Sequence, residues 1–174
     1  MNVETLQTAQ GTTIAGPLLI TPRAFGDDRG WFFESWNQTR FNEAVGQTVE
    51  FSQDNHSRSI QGVLRGLHYQ LAPEPQAKLV RSSVGSIFDV AIDIRQTSPT
   101  CAQWVGAILS AENKAQLWNF PPCRNISESS ASIWNRQPWS RPRFCATASQ
   151  RFQRIRVPFG YGKLVRCIRS SSYY

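Results

Sequence analysis

The stretch from Ser57 to Asp93 constrains the fold more than any other part of the chain, because its apolar and polar residues alternate. Alternation with a period of two is typical of β-strands whose two faces meet different surroundings. It predicts strands over Lys78–Val84 and Ile87–Ile94. Gly85-Ser86 lies between them and has the residue types of a two-residue hairpin turn. We therefore predict a hairpin at this point of the chain.

One face of the predicted hairpin is polar. A two-residue turn puts Ser82 opposite Asp89 and Lys78 opposite Asp93, so that a cation lies between two carboxylates. The other face, with Phe88 and the alternate residues after it, is expected to join the core. Charged groups inside a β-domain cost free energy unless they are paired or used. The pattern indicates either a simple internal ion pair or a functional site.

His68 lies in a further predicted strand, Gly66–Gln70, which precedes a proline-containing loop. A single histidine in a strand is most often an ordinary hydrogen-bonded residue, but the polar groups on the neighbouring strands favour a functional role. Simple alternation places Arg65 on the opposite face from His68. Arg65 joins the same surface only if Gly66 allows a β-bulge.

The rest of the first two-thirds of the chain is predicted to form short strands and one helix. Asn37 is a suitable N-cap and Gly46 a suitable C-cap for a helix over Thr39–Val45. Alternation in the following strand places Gln53 and Asn55 on one side, together with Val49 and Phe51. The first eleven residues are expected to be loose. Further strands are predicted at Gly16–Pro22, Gly30–Trp36 and Gln103–Leu109 and from Gln116 onwards.

Length and composition narrow the class of protein. A chain of 174 residues with 11% aromatic residues is large enough for one domain with a proper core. Short strands and frequent turns predict a β-sandwich or a β-barrel. No apolar run approaches the length of a membrane span, and the first residues lack the features of a signal peptide, so we expect a cytoplasmic protein. Two histidines and no Cys-x-x-Cys pair make a zinc site improbable.

The charge of the chain changes abruptly after Trp118. Residues 1–118 contain nine basic and eleven acidic side chains, whereas residues 119–174 contain ten basic and one acidic side chain. The net charge of +7 therefore arises entirely from the last third. We predict two parts: residues 1–118, and a basic segment rich in Arg, Ser and Pro over 119–174.

Five segments of the first part resemble the dTDP-4-dehydrorhamnose 3,5-epimerase family. These segments are DDRGWFFESW (27–36), FSQDNHSRS (51–59), GVLRGLHYQ (62–70), QAKLVRSSVGSIFDVAIDIRQTSPT (76–100) and WVGAILSAENKAQLW (104–118). The resemblance implies an all-β fold, a cupin-type jelly-roll barrel. It implies an isomerase that converts dTDP-4-dehydro-6-deoxy-glucose into dTDP-4-dehydro-rhamnose by epimerisation at C3 and C5, in the biosynthesis of dTDP-rhamnose. It also implies that no metal or organic cofactor is needed, and that the chain forms a homodimer that exchanges N-terminal strands.

The resemblance implies roles for individual residues. Removal of a proton next to a ketone needs a base and leaves negative charge on the ketone oxygen. By resemblance, His68 is the base and Lys78 stabilises the enolate. We expect Asp89 to orient Lys78 and to keep it protonated. The substrate contacts implied by the family are Arg29, Glu34, Gln53, Asn55 and Arg65.

The resemblance stops after Trp118, and the last third departs from the family. The family continues with a Phe-Ala-His-Gly-Phe motif, a tyrosine that donates a proton and a late aspartate that pairs with the base. In this chain, residues 119–160 contain no tyrosine and residues 119–174 contain no aspartate. Three alternatives are open for this segment: translation in a shifted reading frame, a basic arm for nucleic acid or an acidic partner, or a diverged barrel end. Nucleic acid is the less favoured partner, since the segment contains no known binding module.

The departure leaves other functions open for the whole chain. A sugar-nucleotide-binding protein of the cupin type without activity would keep the binding residues but would show no proton exchange. An enzyme that epimerises only C5, or a ketoisomerase, would also fit the first 118 residues. Product analysis on the dTDP-linked keto sugar discriminates among them.

Overall fold

The structure, a computed structural model, describes residues 1–63, 65, 76–95, 97–119, 131–132 and 163–170. Within these residues the chain forms ten strands and one helix. In chain order the elements are β1 (Asn2–Gln7), β2 (Thr13–Thr21), β3 (Ala24–Asp27), β4 (Gly30–Phe33), α1 (Gln38–Val45), β5 (Phe51–Arg58), β6 (Lys78–Ile92), β7 (Trp104–Ser110), β8 (Gln116–Asn119), β9 (Ala131–Ser132) and β10 (Lys163–Ser170).

The strands form a curled antiparallel sheet centred on β6, and a separate hairpin of β3 and β4. The neighbours along the sheet run in the order β1, β2, β8, β6, β10 and β5. The second half of β6 pairs instead with β7 and with the short β9. Because β6 belongs to both groups of strands, it is the element that connects the two walls of the barrel.

The predicted hairpin at Gly85-Ser86 is wrong, because β6 runs through these residues as one strand of 15 residues. The chain bends here instead of reversing. Gly85 has a φ of 70°, a left-handed conformation that favours glycine. The register of β6 against β10 also shifts between Ser82 and Val84, which is a β-bulge. A glycine and a bulge together let one strand turn from one wall of the barrel into the other.

One face of the sheet carries an aromatic cluster that α1 covers. Trp118 is 1% exposed and Phe41 is 3% exposed, and their ring centroids lie 5.0 Å apart. Trp36 and Phe51 pack against the same cluster, with their ring centroids 4.7 Å apart. Leu79 of β6 belongs to this cluster too, so odd-numbered residues at the start of β6 face the helix.

The other face of the sheet forms the interior between the walls. Val80 of β6 and Leu117 of β8 are fully buried there, together with Leu109 of β7. Ile87, which lies beyond the bend in β6, packs against the same cluster. The interior is therefore lined by both halves of β6, and we call this surface the interior face.

The predicted helix and its caps are confirmed. Asn37 accepts a hydrogen bond from the backbone N–H of Arg40 at 3.1 Å, and Gly46 closes the helix with a φ of 70°. This helix is too short to cross a membrane, and no helix within the described ranges is long and apolar enough to do so.

Two predictions from the sequence fail near the start of the chain. The first eleven residues are not all loose, because Asn2–Gln7 pair with β2 as an antiparallel strand. Phe51 does not share a face with Gln53, because the register of β5 against β10 shifts between them. Because of the bulge at this shift, Phe51 packs in the aromatic cluster, whereas Gln53 lies on the opposite face of the sheet.

Candidate active site

A row of residues crosses four strands of the sheet at the start of β6. Arg169 of β10 pairs with Gln53 of β5 on one side and with Lys78 on the other. Lys78 in turn pairs with Asn119 of β8. Residues paired across neighbouring strands project from the same face. Gln53, Lys78 and Asn119 therefore lie on the interior face in one line.

Lys78 and Asp89 are buried on this interior face. Lys78 is 5% exposed and Asp89 is 2% exposed. Lys78 lies two residues before Val80 on the same side of β6, and Asp89 pairs with Ala107, a member of the interior cluster. The sequence predicted that Lys78 and Asp89 share a surface, and the bend in β6 brings them onto it in place of the predicted turn.

Burial raises the pKa of Asp89 from its usual value to about 7. A hydrogen bond from the backbone N–H of Val90, at 3.0 Å, and the positive charge of Lys78 act in the opposite direction and limit the rise. Oδ2 of Asp89 is buried without a hydrogen-bond partner in the described part of the chain. The site can thus hold or release a proton at Asp89 near neutral pH.

Asp93 does not lie opposite Lys78, so this part of the predicted pairing is wrong. β6 ends at Ile92, and the Asp93 carboxylate accepts two hydrogen bonds from the Arg95 guanidinium, both at 2.7 Å. The hydroxyl groups of Ser98 and Thr100 each donate to Oδ2 at 2.6 Å. Asp93 therefore stabilises the loop after β6 and is not part of the candidate site.

Gln53 and Asn55 project together, as predicted. Nε2 of Gln53 donates a hydrogen bond to Oδ1 of Asn55 at 3.1 Å. Gln53 is exposed and Asn55 is half-buried, so both amides are accessible at the edge of the interior face. Through β10, Asn55 lies in the same row as Val80, next to the row that contains Lys78.

Arg29 and Glu34 lie away from Lys78. Arg29 is in the turn of the β3–β4 hairpin and pairs with Asp27. The carboxylate of Glu34 pairs with Arg40 at 3.0 Å and accepts a hydrogen bond from Asn37 at 3.0 Å. Glu34 lines a cleft of about 810 Å³ between the hairpin and α1, which also contains Leu79 and is on the helix side of the sheet.

His68 and its predicted strand lie outside the described residues. Arg65 is described, and its guanidinium donates a hydrogen bond to the backbone oxygen of Arg58 at 3.1 Å. The predicted bulge at Gly66 also lies outside the described residues. The relation of His68 and Arg65 to Lys78 thus stays a prediction.

The sequence reasoning missed Asn119. It is 4% exposed and belongs to the row of Gln53 and Lys78. No periodic pattern could indicate it, because the strand β8 has four residues and its register against β6 is a long-range property. Within the described ranges, no group of three or more His, Cys, Asp or Glu side chains could hold a metal ion.

The curled sheet, with a polar row on its apolar interior face, defines a cupin-type jelly-roll barrel. Residues 11–122 match the sequence model of the family described as dTDP-4-dehydrorhamnose 3,5-epimerase. The chain belongs to this family.

Similar proteins agree with this assignment. The dTDP-4-dehydrorhamnose 3,5-epimerase of Shigella flexneri is 64% identical over 107 residues, which are 62% of this chain and 59% of the relative. The enzyme of the same description from Pseudomonas aeruginosa is 60% identical over 111 residues, which are 63% of this chain and 61% of the relative. The matched region thus spans about three-fifths of the length of these relatives.

A solved structure is similar in fold. The dTDP-6-deoxy-D-glucose-3,5-epimerase of Legionella pneumophila, in complex with dTDP-4-keto-L-rhamnose, is similar with a TM-score of 0.68 and 36% identity. The similarity covers 99% of this chain and 73% of that one. The predicted all-β, jelly-roll fold is confirmed.

Proposed function

We propose that this protein is an epimerase of dTDP-4-dehydro-6-deoxy-glucose that inverts C3 and C5 to give dTDP-4-dehydro-rhamnose. The observation that carries the proposal is the burial of Lys78 and Asp89 on the interior face, which also carries the buried apolar side chains of Val80, Leu109 and Leu117. Such a pair costs stability unless it is used, and the chemistry of epimerisation next to a ketone uses it. The family and its relatives support the same reaction.

The proposed reaction begins with the transfer of a proton from the carbon beside the ketone to the imidazole of His68. The electron pair of the broken C–H bond moves onto the ketone oxygen and forms an enolate. The ammonium group of Lys78 stabilises this charge, and its effect is large because the surroundings are apolar. Return of a proton from solvent water to the opposite side of the carbon neutralises the enolate and completes the inversion. Asp89 orients Lys78 and, above its pKa of about 7, helps to keep it charged.

The proposed substrate contacts divide into two groups. Gln53 and Asn55 lie at the edge of the interior face, where their amides can bind the sugar or the base of a dTDP-linked ligand. Arg29, Glu34 and Arg65 are proposed as contacts from the family resemblance. A dTDP-sugar is also named as the ligand of a structural neighbour, the epimerase from Legionella pneumophila.

The experiment is to incubate the protein with the dTDP-linked keto sugar in deuterated water and to follow deuterium at C3 and C5. The wild type is expected to exchange both protons, and His68→Ala is expected to lose this exchange. His56→Ala is the matched control, since His56 is the other histidine of the chain and is exposed on β5. Exchange that survives in His68→Ala would contradict the assigned base.

Binding of dTDP, measured by calorimetry, separates the alternatives. Binding without exchange would indicate a sugar-nucleotide-binding protein without activity. Exchange at C5 alone would indicate a single-position epimerase. If the protein shows neither binding nor exchange, the proposal is rejected as a whole.

We also propose that the chain acts as a homodimer. Arg29 lies in the turn of the β3–β4 hairpin and Glu34 lines the cleft on the helix side of the sheet, whereas Lys78 faces the interior. A second copy could supply the hairpin residues to the same substrate. Phe32 and Trp31 of the hairpin are 71% and 62% exposed, as a docking hairpin requires. A monomer in sedimentation experiments would contradict this proposal.

For the last third of the chain, we propose that residues 119–174 are a basic segment, rich in Arg, Ser and Pro, whose sequence departs from the family even though Lys163–Ser170 pairs with β5 and β6. The support is the abrupt change in charge after Trp118 and the end of the family match at residue 122. Reading the coding DNA in the other two frames distinguishes a frame change from a basic arm or a diverged barrel end. A family-like sequence in another frame would favour the first alternative.

A further inference from the structure

The interior face contains a buried amide that nothing in the proposed reaction explains. Asn119 is 4% exposed, and neither its Nδ2 nor its Oδ1 has a hydrogen-bond partner in the part of the chain that the structure describes. Most buried side-chain polar atoms in folded proteins are hydrogen-bonded, so an amide with both ends unpartnered requires an explanation.

The register of β8 places this amide beside Lys78. Asn119 is the direct antiparallel partner of Lys78, and their neighbours Trp118 and Leu79 pair on the opposite, aromatic face. Side chains paired in this way have Cβ atoms about 5 Å apart. Hence the side chains that carry the Asn119 amide and the Lys78 ammonium are attached at neighbouring positions on the interior face.

Among the described residues, the interior face next to the pair of Lys78 and Asn119 is apolar. The next pair on the interior face is Val80 with Leu117, and both side chains are fully buried and apolar. An apolar residue at position 119 would suit this surface better, because it would avoid the desolvation of two polar atoms. Oδ2 of Asp89, on the same face, is also buried without a hydrogen-bond partner in the described part of the chain. Unpartnered polar atoms in an apolar lining are the arrangement expected where a polar ligand binds.

We propose that Asn119 is a substrate-contacting residue whose amide N–H donates a hydrogen bond to the same ketone oxygen that Lys78 contacts. The inference rests on the proposed epimerase function and adds a second donor to it. As the proton leaves the carbon, negative charge grows on this oxygen, and two fixed donors stabilise it more than one. The amide oxygen of Asn119 remains able to accept a hydrogen bond from a neighbouring sugar hydroxyl.

The test compares Asn119→Leu with the wild type in three measurements. Deuterium exchange into the keto sugar is expected to fall about 100-fold, since this is the usual effect of removing one donor to an enolate or oxyanion. The affinity for dTDP, which lacks the sugar, is expected to change by less than about twofold because no contact to the nucleotide is lost. The melting temperature is expected to stay the same or to rise, since an unsatisfied buried amide has been removed.

Gln103→Leu is the matched control. Oε1 of Gln103 is also buried without a partner in the described part, but this residue lies beside Asp93, at the other end of β6 from Lys78. Its exchange rate is expected to equal that of the wild type. If Asn119→Leu does not fold, Asn119→Asp keeps the size of the side chain, removes the amide donor and is expected to lose exchange similarly.

The outcomes separate this inference from the function itself. Normal exchange in a folded Asn119→Leu or Asn119→Asp variant overturns the role of Asn119 and leaves the epimerase function intact. A lower melting temperature together with unchanged exchange shows that the amide is structural and also overturns the role. If the wild type shows neither binding nor exchange, the function fails and the inference fails with it.

Discussion

Two buried aspartates four residues apart on the same stretch of chain have opposite surroundings. Asp93 accepts hydrogen bonds from Arg95, Ser98 and Thr100, so its charge is fully compensated. Oδ1 of Asp89 accepts a hydrogen bond from the N–H of Val90, and Oδ2 has no partner among the described residues. Burial favours the neutral form of both, but the donors around Asp93 outweigh it and lower the pKa of that carboxyl.

This difference separates a structural carboxylate, Asp93, from Asp89, for which we propose a role in the reaction. The network of Asp93 ties the loop after β6 to itself and, through Arg95, to the backbone oxygen of Ala15 on β2. Because the carboxylate of Asp93 accepts hydrogen bonds from these protein groups, its oxygens are already used within the fold. In the described part of the chain, Asp89 and Asn119 leave polar atoms without hydrogen-bond partners on the interior face that they share with Lys78. Buried polar atoms without hydrogen bonds destabilise the folded protein, and a bound substrate can supply the missing hydrogen bonds.

Removal of the satisfied carboxylate should have the largest effect on folding. In Asp93→Ala, Arg95 loses its carboxylate partner while its side chain is only 16% exposed, and two hydroxyl groups lose an acceptor. We expect the free energy of unfolding to fall by about 3 kcal/mol, the range for breaking a buried ion pair. Urea denaturation followed by fluorescence measures it. A loss of less than about 1 kcal/mol would show that the network is not the structural element described.

Removal of one donor should have an intermediate effect. Thr100→Val keeps the shape of the side chain and removes the hydroxyl group that donates to Oδ2 of Asp93 at 2.6 Å. A hydrogen bond to a charged group is worth about 1.5–3 kcal/mol, and the remaining donors compensate in part, so we expect a loss of about 1.5 kcal/mol in urea denaturation. Asp93→Ala/Thr100→Val should be little less stable than Asp93→Ala alone. Additive losses would mean that Thr100 acts independently of Asp93.

The smallest expected effect is on the pH dependence of stability, to which Asp89 and Asp93 should contribute with opposite sign. The folded-state pKa of Asp89 is raised to about 7, so native Asp89 retains its proton where the unfolded chain has lost it. The contribution of this group to stability is therefore lost as pH rises from about 4 through about 7. Asp89→Asn should gain stability relative to the wild type over this range, as measured by melting temperature at a series of pH values.

Asp93→Asn is the control for the sign of this effect. The pKa of Asp93 is lowered in the folded protein, so its contribution is present above the unfolded pKa and is lost as the pH falls through the folded value. The two variants should therefore differ from the wild type in opposite directions with pH. Parallel pH profiles would contradict the different surroundings of the two carboxylates.

The sequence by itself determined the family, the all-β class and the capped helix, whereas the roles of the site residues stay predictions. Periodicity and caps are local, and the motifs of residues 16–118 are specific enough to indicate a family without coordinates. The sequence also grouped Lys78 with Asp89. The reason was wrong, because we predicted a hairpin turn at Gly85 and the structure has a bend there. Both the turn and the bend place Lys78 and Asp89 on one surface.

Only the tertiary structure decided which groups meet. The bend in β6, the bulge between Phe51 and Gln53 and the register of β8 against β6 are each long-range pairings. A shift of one residue in any of them moves every following side chain to the other face of the sheet. For that reason the sequence could not separate Asp93 from Lys78 or place Asn119 beside it, whereas the assembled sheet does both.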